Sequence, residues 1–187
     1  MAEFLPAKVR FNGDDFVPYL TKARIDKRIE ELAADLMYDF EGKDPIFIGV
    51  LNGAFVFLAD LMKHIHIDCE IDFLKLSSYG DEKVSSGRVR ELKEIDADIK
   101  GRHIILVEDI VDTGLSMKYL VDLLKSKSPS SVNVVTLLHK KAATQYDVPL
   151  DYVGFVIPDE FVVGYGLDYA QKGRNLAQVY RPKPEGE

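Results

Sequence analysis

The chain has 187 residues, 47% of them hydrophobic, which predicts one folded domain with a buried core. Its 24 basic and 31 acidic residues leave a net charge of −7, which argues against a broad nucleic-acid surface, because such a surface needs many Lys and Arg side chains. No apolar stretch reaches the roughly 20 residues that cross a bilayer. No secretory signal is recognisable, and the single cysteine, Cys69, fits a reducing compartment. We therefore expect a cytoplasmic protein without membrane contacts.

The first half of the chain predicts a helix, a strand and a second helix. Apolar side chains recur every three or four positions over residues 22–40, which indicates an amphipathic helix. Residues 46–51 form a continuous apolar run of strand length, and residues 54–65 predict the next helix. The periodicity is lost at about 77–91, a polar stretch that predicts either a functional loop or a long β-hairpin with a solvated tip.

The second half of the chain repeats the alternation of strands and helices. Residues 104–107 and 132–138 are apolar runs that predict buried strands, and residues 115–125 predict a helix between them. Strands that are apolar on both faces and alternate with helices are typical of a mostly parallel sheet covered on both sides. The predicted fold class is therefore α/β.

An acidic turn with one glycine lies between the strand at 104–107 and its helix. Two carboxylates come at the carboxyl end of the strand, where open α/β sheets bind ligands. A third carboxylate, two hydroxyl groups and the free amides of a helix start follow, and they suit a phosphate beside a sugar diol. Ordinary helix capping is the alternative, but it accounts for one acidic residue and not for three. The predicted ligands of a ribose 5-phosphate are Glu108, Asp109, Asp112, Thr113, Gly114, Leu115 and Ser116.

The segment 104–116 resembles the signature of the type I phosphoribosyltransferases that binds phosphoribosyl pyrophosphate (PRPP). In that signature an apolar strand leads into two acidic residues and an Asp-Thr-Gly or Asp-Ser-Gly turn, as it does here. The resemblance implies a mostly parallel, twisted sheet flanked by helices, with a small hood subdomain and a flexible lid. On this basis we expect one domain over 1–187, with a lid at about 77–91 and a hood formed by 155–187 and the N-terminal segment.

Two further segments resemble the hypoxanthine-guanine branch of this family. Leu51, Asn52 and Gly53 are similar to its pyrophosphate loop, in which a cis peptide turns an amide towards the diphosphate. Ser78 and Tyr79 are similar to the Ser-Tyr pair of its lid, which closes over the pyrophosphate. Closure matters because water admitted to the site would hydrolyse PRPP.

Lys140 comes directly after the predicted strand at 132–138 and a histidine. An isolated lysine at a strand end is commonly solvated. The resemblance instead implies that Lys140 donates to the 6-oxygen of the purine. The chemistry fits this role, because an ammonium group has donors and no acceptor, and so matches a 6-oxopurine better than adenine.

The segment 156–169 resembles the purine-binding hood of the same branch. The resemblance implies that Phe161 stacks on the purine and that the backbone of Val162 meets its edge. It assigns Asp168 to the purine and metal site, and Arg174 to pyrophosphate. The alternative for the aromatic residues of this segment is burial in the core, which is their usual fate.

The combined resemblance implies a Mg²⁺-dependent enzyme of purine salvage that transfers the phosphoribosyl group from PRPP to N9 of hypoxanthine, and of guanine, with release of pyrophosphate. Asp112 and Lys140 are the implied catalytic residues, and the implied metal ligands are Glu108, Asp109 and Asp168. The family also implies a homodimer or homotetramer. The alternatives are a non-catalytic sensor of PRPP that binds nucleic acid, and an adenine or orotate enzyme of the same fold; Lys140 and the hood segment favour the 6-oxopurine enzyme.

Overall fold

The computed structural model describes residues 5–78 and 89–184, with the backbone alone at 77, 78 and 89–92. Three α-helices and nine β-strands make up this part of the chain. Their bounds are β1 Val9–Phe11, β2 Asp14–Leu20, α1 Lys22–Phe40, β3 Ile46–Leu51, α2 Phe55–Met62, β4 Glu70–Ser78, β5 Val89–Lys93, β6 His103–Val111, α3 Leu115–Ser126, β7 Ser131–His139, β8 Tyr152–Val156 and β9 Val179–Pro182.

The central sheet has six strands in the order β5-β4-β3-β6-β7-β8. Strands β4, β3, β6, β7 and β8 run parallel, and β5 pairs antiparallel with β4 at one edge. From β3 the chain moves outwards to β4, and β6 then returns to the other side of β3. This reversal creates a crevice at the carboxyl ends of β3 and β6, where ligands bind in open α/β sheets. The predicted α/β class is confirmed.

Both faces of the central sheet are covered, which explains the apolar runs of its strands. Helices α1 and α2 pack on one face, where the predicted apolar stripe of α1 is buried, except that Met37 is only partly covered. Helix α3 packs on the other face. Thr21 caps the start of α1, because its side-chain oxygen accepts a hydrogen bond from the amide of Arg24.

A second, three-stranded antiparallel sheet joins the two ends of the chain in the order β1-β2-β9. Its small core contains Phe16, Val163 and Tyr180, which are each 2% exposed or less. The Tyr180 hydroxyl donates to the carbonyl of Pro6 at 2.9 Å, so the N-terminal segment is tied to the last strand. The boundaries of the expected hood stay a prediction.

Strands β4 and β5 are antiparallel neighbours, with Ser77 opposite Arg90 and Ser78 opposite Val89. The expected lid at 77–91 therefore begins and ends in paired strands, while residues 79–88, which include Tyr79, lie outside the described residues. In the described part of the chain, no helix has the length and apolar character needed to cross a bilayer.

Candidate active site

The turn between β6 and α3 surrounds a small pocket of about 110 Å³. Strand β6 extends to Val111, beyond the predicted run at 104–107, so Glu108 and Asp109 lie within its carboxyl-terminal part. The first amides of α3 have no partner within the helix and can face a ligand. The pocket is lined by Glu108, Ile110, Val111, Asp112, Thr113, Gly114, Leu115, Ser116 and Met117.

Gly114 is required at the start of α3 for two reasons. Its φ is +87°, a conformation that favours glycine, and a Cβ atom there would lie 3.1 Å from the carbonyl oxygen of Tyr146. The loop after β7 holds this turn from behind, because the amides of Gln145 and Tyr146 donate to the Thr113 carbonyl at 2.9 and 3.1 Å. The Thr144 hydroxyl lies 3.1 Å from the carbonyl of Asp112. No sequence pattern identified this support, since it depends on contacts about 30 residues apart.

The predicted pyrophosphate loop lies directly against the acidic strand end. The Leu51–Asn52 peptide bond is cis. A Cβ atom on Gly53 would lie 1.8 Å from Oδ2 of Asp109, so only glycine allows the backbone to approach this carboxylate. The carboxyl ends of β3 and β6 thus meet at the crevice that the strand order creates.

The turn that contains Gly166 contacts the same loop from the other side. A Cβ atom on Gly166 would lie 2.1 Å from the carbonyl oxygen of Gly53. Arg174 fixes this turn, because one guanidinium nitrogen donates to the Gly166 carbonyl at 2.7 Å and another pairs with Asp168 at 2.5 Å. Asp168 and Arg174 are therefore partners, and they lie on the segment that touches the predicted pyrophosphate loop.

Lys140 lies beside Asp112, with 3.0 Å between Nζ and Oδ2. Its backbone amide donates to the carbonyl of Val111 at 2.9 Å, so Lys140 is held next to the carboxyl end of β6. The same Nζ lies 3.3 Å from Oδ1 of Asp159, at the start of the predicted hood segment. Lys140 thus connects the phosphate-sized turn to the hood segment. Sequence reasoning did not assign Asp159 a role.

Phe161 is 45% exposed and belongs to an aromatic cluster. Its ring centroid lies 5.2 Å from that of Tyr169 and 6.1 Å from that of Phe16. Val162 is buried, and so is Tyr165, whose hydroxyl donates to Asp60 at 2.6 Å. The core interpretation therefore holds for Tyr165, whereas Phe161 presents ring surface to solvent.

The two adjacent carboxylates of β6, Glu108 and Asp109, have raised pKa values. Burial, and then the neighbouring Asp109 carboxylate, raise the pKa of Glu108 well above its usual range. Burial also raises the pKa of Asp109, although a hydrogen bond with the Glu108 side chain, and then those from the Ile110 amide and its own amide, oppose the shift. A cation or hydroxyl donor placed between the two carboxylates would relieve this cost.

The predicted residues fall into one connected set, apart from the lid pair. The turn, the pyrophosphate loop, the 166–174 segment and Lys140 are linked by the contacts above. For Ser78 the structure gives the backbone in β4 only, and Tyr79 lies outside the described residues. The roles of these residues stay predictions.

Comparisons with known proteins agree with this geometry. The family model of the phosphoribosyl transferase domain matches residues 19–170. The hypoxanthine-guanine phosphoribosyltransferase of Bacillus subtilis (strain 168) is 46% identical over 165 residues, which cover 88% of this chain and 92% of that protein. The bifunctional protein TilS/HprT of Listeria monocytogenes serotype 4b (strain F2365) is 45% identical over 166 residues, and the match spans 89% of this chain but 26% of that longer protein.

A solved structure gives the same result. The crystal structure of a hypoxanthine phosphoribosyltransferase from Staphylococcus aureus superposes with a TM-score of 0.85 at 40% identity. The match covers 90% of this chain and 91% of that one. Fold, family model and identity thus agree, and the chain belongs to the phosphoribosyltransferase family, within its hypoxanthine-guanine branch.

Proposed function

We propose that the chain is an enzyme of purine salvage that transfers the 5-phosphoribosyl group of PRPP to N9 of hypoxanthine, and of guanine, to give the nucleoside monophosphate and pyrophosphate. One observation carries the proposal: Asp112, at the edge of the phosphate-sized pocket, lies 3.0 Å from Lys140, a donor suited to the 6-oxygen of the base. A sugar phosphate and an oxygen-bearing purine therefore have adjacent sites.

The 5-phosphate of PRPP occupies the turn at the start of α3 in this proposal. The amides of the first turn and the hydroxyl groups of Thr113 and Ser116 suit a phosphate dianion. Glu108 and Asp109 accept hydrogen bonds from the ribose hydroxyl groups. The pyrophosphate lies between the loop at Leu51–Gly53, Arg174 and the lid residues Ser78 and Tyr79.

The purine lies on the exposed surface of Phe161, with its 6-oxygen towards Lys140 and its edge towards the backbone of Val162 and the Asp168 region. Phe161 is half exposed and is supported from behind by Tyr169 and Phe16, so it can offer a fixed ring surface for stacking. Adenine would place the donors of its 6-amino group against the donors of the Lys140 ammonium group, which is why such a site rejects adenine.

In the reaction, N9 of the base forms a bond to the anomeric carbon as the bond from that carbon to the pyrophosphate oxygen breaks. The carboxylate of Asp112 accepts the proton from N7 of the purine, a general-base role that requires hydrogen-bond reach of the base. Lys140 stabilises the 6-oxygen, and Arg174 compensates negative charge on the departing pyrophosphate. The role proposed for the lid is to exclude water during this step.

The carboxylates present are suited to Mg²⁺. Glu108 and Asp109 supply adjacent oxygen ligands whose pKa values are raised, chiefly by burial, and Asp168 lies on the neighbouring segment. Within residues 5–78 and 89–184, no three His, Cys, Asp or Glu side chains cluster as a metal site of their own. That agrees with a metal that takes most of its ligands from substrate and water. When bound, Mg²⁺ supplies positive charge that neutralises the diphosphate.

Because the chain belongs to this family, we also propose that it is a cytoplasmic protein that forms a homodimer or homotetramer.

Replacing Asp112 with Asn tests the proposal. The amide keeps the size of the side chain but accepts a proton poorly, so we expect kcat with hypoxanthine to fall by about 100-fold or more while KM for PRPP changes little. Initial rates with PRPP, Mg²⁺ and each nucleobase in turn measure this. The exposed Asp68→Asn variant, which lies just before the amino end of β4, controls for general effects. Unchanged turnover in the Asp112 variant would refute its role, and a wild-type protein that binds PRPP but turns over no base would favour a sensor.

A further inference from the structure

The ammonium group of Lys140 lies between two carboxylates, and the second has no role in the reaction described above. Nζ of Lys140 lies 3.0 Å from Asp112 Oδ2 and 3.3 Å from Asp159 Oδ1. The side chain of Lys140 is only 11% exposed, whereas that of Asp159 is 60% exposed. A mostly buried lysine that faces a ligand site is thus held from its outer side by a partly exposed acid.

A lysine needs such a constraint if it is to recognise one atom. Its four-carbon stem is flexible, and the ammonium group is a point charge with three donors and no fixed direction. Asp112 alone would fix one of these donors. A second carboxylate 3.3 Å away restrains the ammonium group further through charge, and a donor is left for a ligand oxygen.

The backbone around Asp159 is well placed to hold this carboxylate. The Ile157 amide donates to the His139 carbonyl at 2.9 Å, so the chain that leaves β8 is tied to the residue just before Lys140. Ile157 itself is 4% exposed. The Glu160 amide donates to the Pro158 carbonyl at 2.9 Å, which closes a tight turn around Asp159. Asp159 therefore approaches Lys140 from a tight turn that is anchored at Ile157 to the chain beside Lys140.

We propose that Asp159 is a positioning residue that holds the Lys140 ammonium group in line with the 6-oxygen of the purine. The inference rests on the proposed function, because it assigns Lys140 to the base. Asp159 does not touch the reacting atoms in this scheme. It acts through Lys140, and its loss should weaken capture of the base more than capture of PRPP.

The raised pKa of Lys140 agrees with this arrangement. Burial acts to lower the pKa of Lys140, but hydrogen bonds to Asp112 and then to Asp159 outweigh burial and raise it. Loss of Asp159 should therefore leave a larger fraction of the Lys140 amine uncharged at a given pH. This provides a measurement that does not depend on turnover.

Steady-state kinetics of Asp159→Ala and Asp159→Asn test the proposal. We expect Asp159→Ala to raise KM for hypoxanthine about fivefold, with KM for PRPP within a factor of about two, because the ion pair that restrains Lys140 is lost. Asp159→Asn retains a neutral acceptor and should lie between wild type and Asp159→Ala. The matched control is Glu160→Gln, since the adjacent Glu160 pairs with Arg181 at 3.4 Å and not with Lys140.

A second measurement separates this inference from the proposed function. In the substrate-free protein, the rate at which an amine-acylating reagent modifies Lys140, followed by peptide mass spectrometry, should rise severalfold in Asp159→Ala and stay unchanged in Glu160→Gln. An unchanged rate, an unchanged KM for hypoxanthine, or equal increases in both KM values would overturn the inference. Absence of turnover with every base in the wild type would instead refute the proposed function, while the acylation rate would still report on the Asp159 contact.

Discussion

Gly53 shows how a single hydrogen atom in place of a side chain decides the shape of the site. The residue follows the cis peptide bond at the end of β3, and its Cα faces the carboxylate of Asp109. A methyl group there would lie 1.8 Å from Oδ2 of Asp109, well inside contact distance. The backbone of the pyrophosphate loop can therefore lie against the acidic strand end only if residue 53 is glycine.

Replacing Gly53 with Ala should thus damage the site more than the fold. The added methyl group must displace Asp109 or the loop, and a displacement of about 1 Å in an active site typically costs on the order of 100-fold in rate. We expect kcat/KM for PRPP to fall by about that factor. Steady-state kinetics with PRPP as the varied substrate would measure it.

Gly101→Ala provides the control for this substitution. A Cβ atom on Gly101 meets nothing within 4 Å, but its φ of +72° is strained for alanine. The variant should therefore lose about 1 kcal/mol of stability and keep its activity. If Gly53→Ala were as active as Gly101→Ala, the close approach to Asp109 would not matter for catalysis.

The hairpin of β4 and β5 is anchored at its base by a buried carboxylate. Asp72 is 8% exposed and accepts hydrogen bonds from the amides of Phe73, Asp96 and Ala97, at 2.6, 2.6 and 2.9 Å. The Lys93 ammonium group lies 3.2 Å from the same carboxylate. Burial acts to raise the pKa of Asp72, but the hydrogen bonds from Ala97, Phe73, Asp96 and Lys93 outweigh it, so the pKa is lowered.

The lowered pKa of Asp72 predicts how stability depends on pH. The unfolded chain binds the proton more tightly, so the contribution of Asp72 is complete above its unfolded pKa of about 3.9 and is lost as pH falls through the lower folded value. Asp72→Asn should cost about 2 kcal/mol at pH 7, since the amide nitrogen cannot accept from backbone donors. The gap between wild type and variant should shrink below about pH 4, as urea unfolding at both pH values would show.

Asp96 offers a matched control, because it pairs with the same lysine at 3.1 Å but its side chain is 89% exposed. Exposed ion pairs contribute about 0–1 kcal/mol, so Asp96→Asn should change stability little. A gap for Asp72→Asn that stayed constant down to low pH would contradict the assigned linkage.

Elements with a strong hydrophobic period were predictable, and those defined by distant pairing were not. The helix at 22–40 and the strand at 46–51 agree with α1 and β3, because burial of one helix face, or of both strand faces, shows in the local sequence. Strands β1 and β2 form a local hairpin around Asn12 and Gly13, a turn pattern that the sequence analysis did not use. Strand β9 pairs with β2 from the other end of the chain, and no local pattern records that pairing. The same reason applies to the Asp159–Lys140 contact, which joins the ends of different strands.

Both ends of the chain contribute to the surface on which the base is proposed to stack. Phe16 lies in β2 near the N-terminus, whereas Phe161 and Tyr169 lie beyond β8. The ring of Phe16 lies 5.9 Å from that of Tyr169 and 6.1 Å from that of Phe161, centroid to centroid. Phe16 is 2% exposed, so it acts as the buried support of the half-exposed Phe161 ring. Correct folding of the whole chain is thus a condition for a rigid stacking surface.

Phe16→Leu should separate this support from stability in general. Leucine keeps the position apolar but removes the ring contacts, and we expect a loss of about 1–3 kcal/mol in the free energy of unfolding. Because Phe161 loses its backing, KM for hypoxanthine should rise severalfold while KM for PRPP stays near the wild-type value. The control is Phe40→Leu, a buried ring that contacts His103 at the opposite end of β6. It should cost similar stability and leave both KM values unchanged, and equal KM for hypoxanthine in the two variants would mean that the aromatic cluster does not support the base.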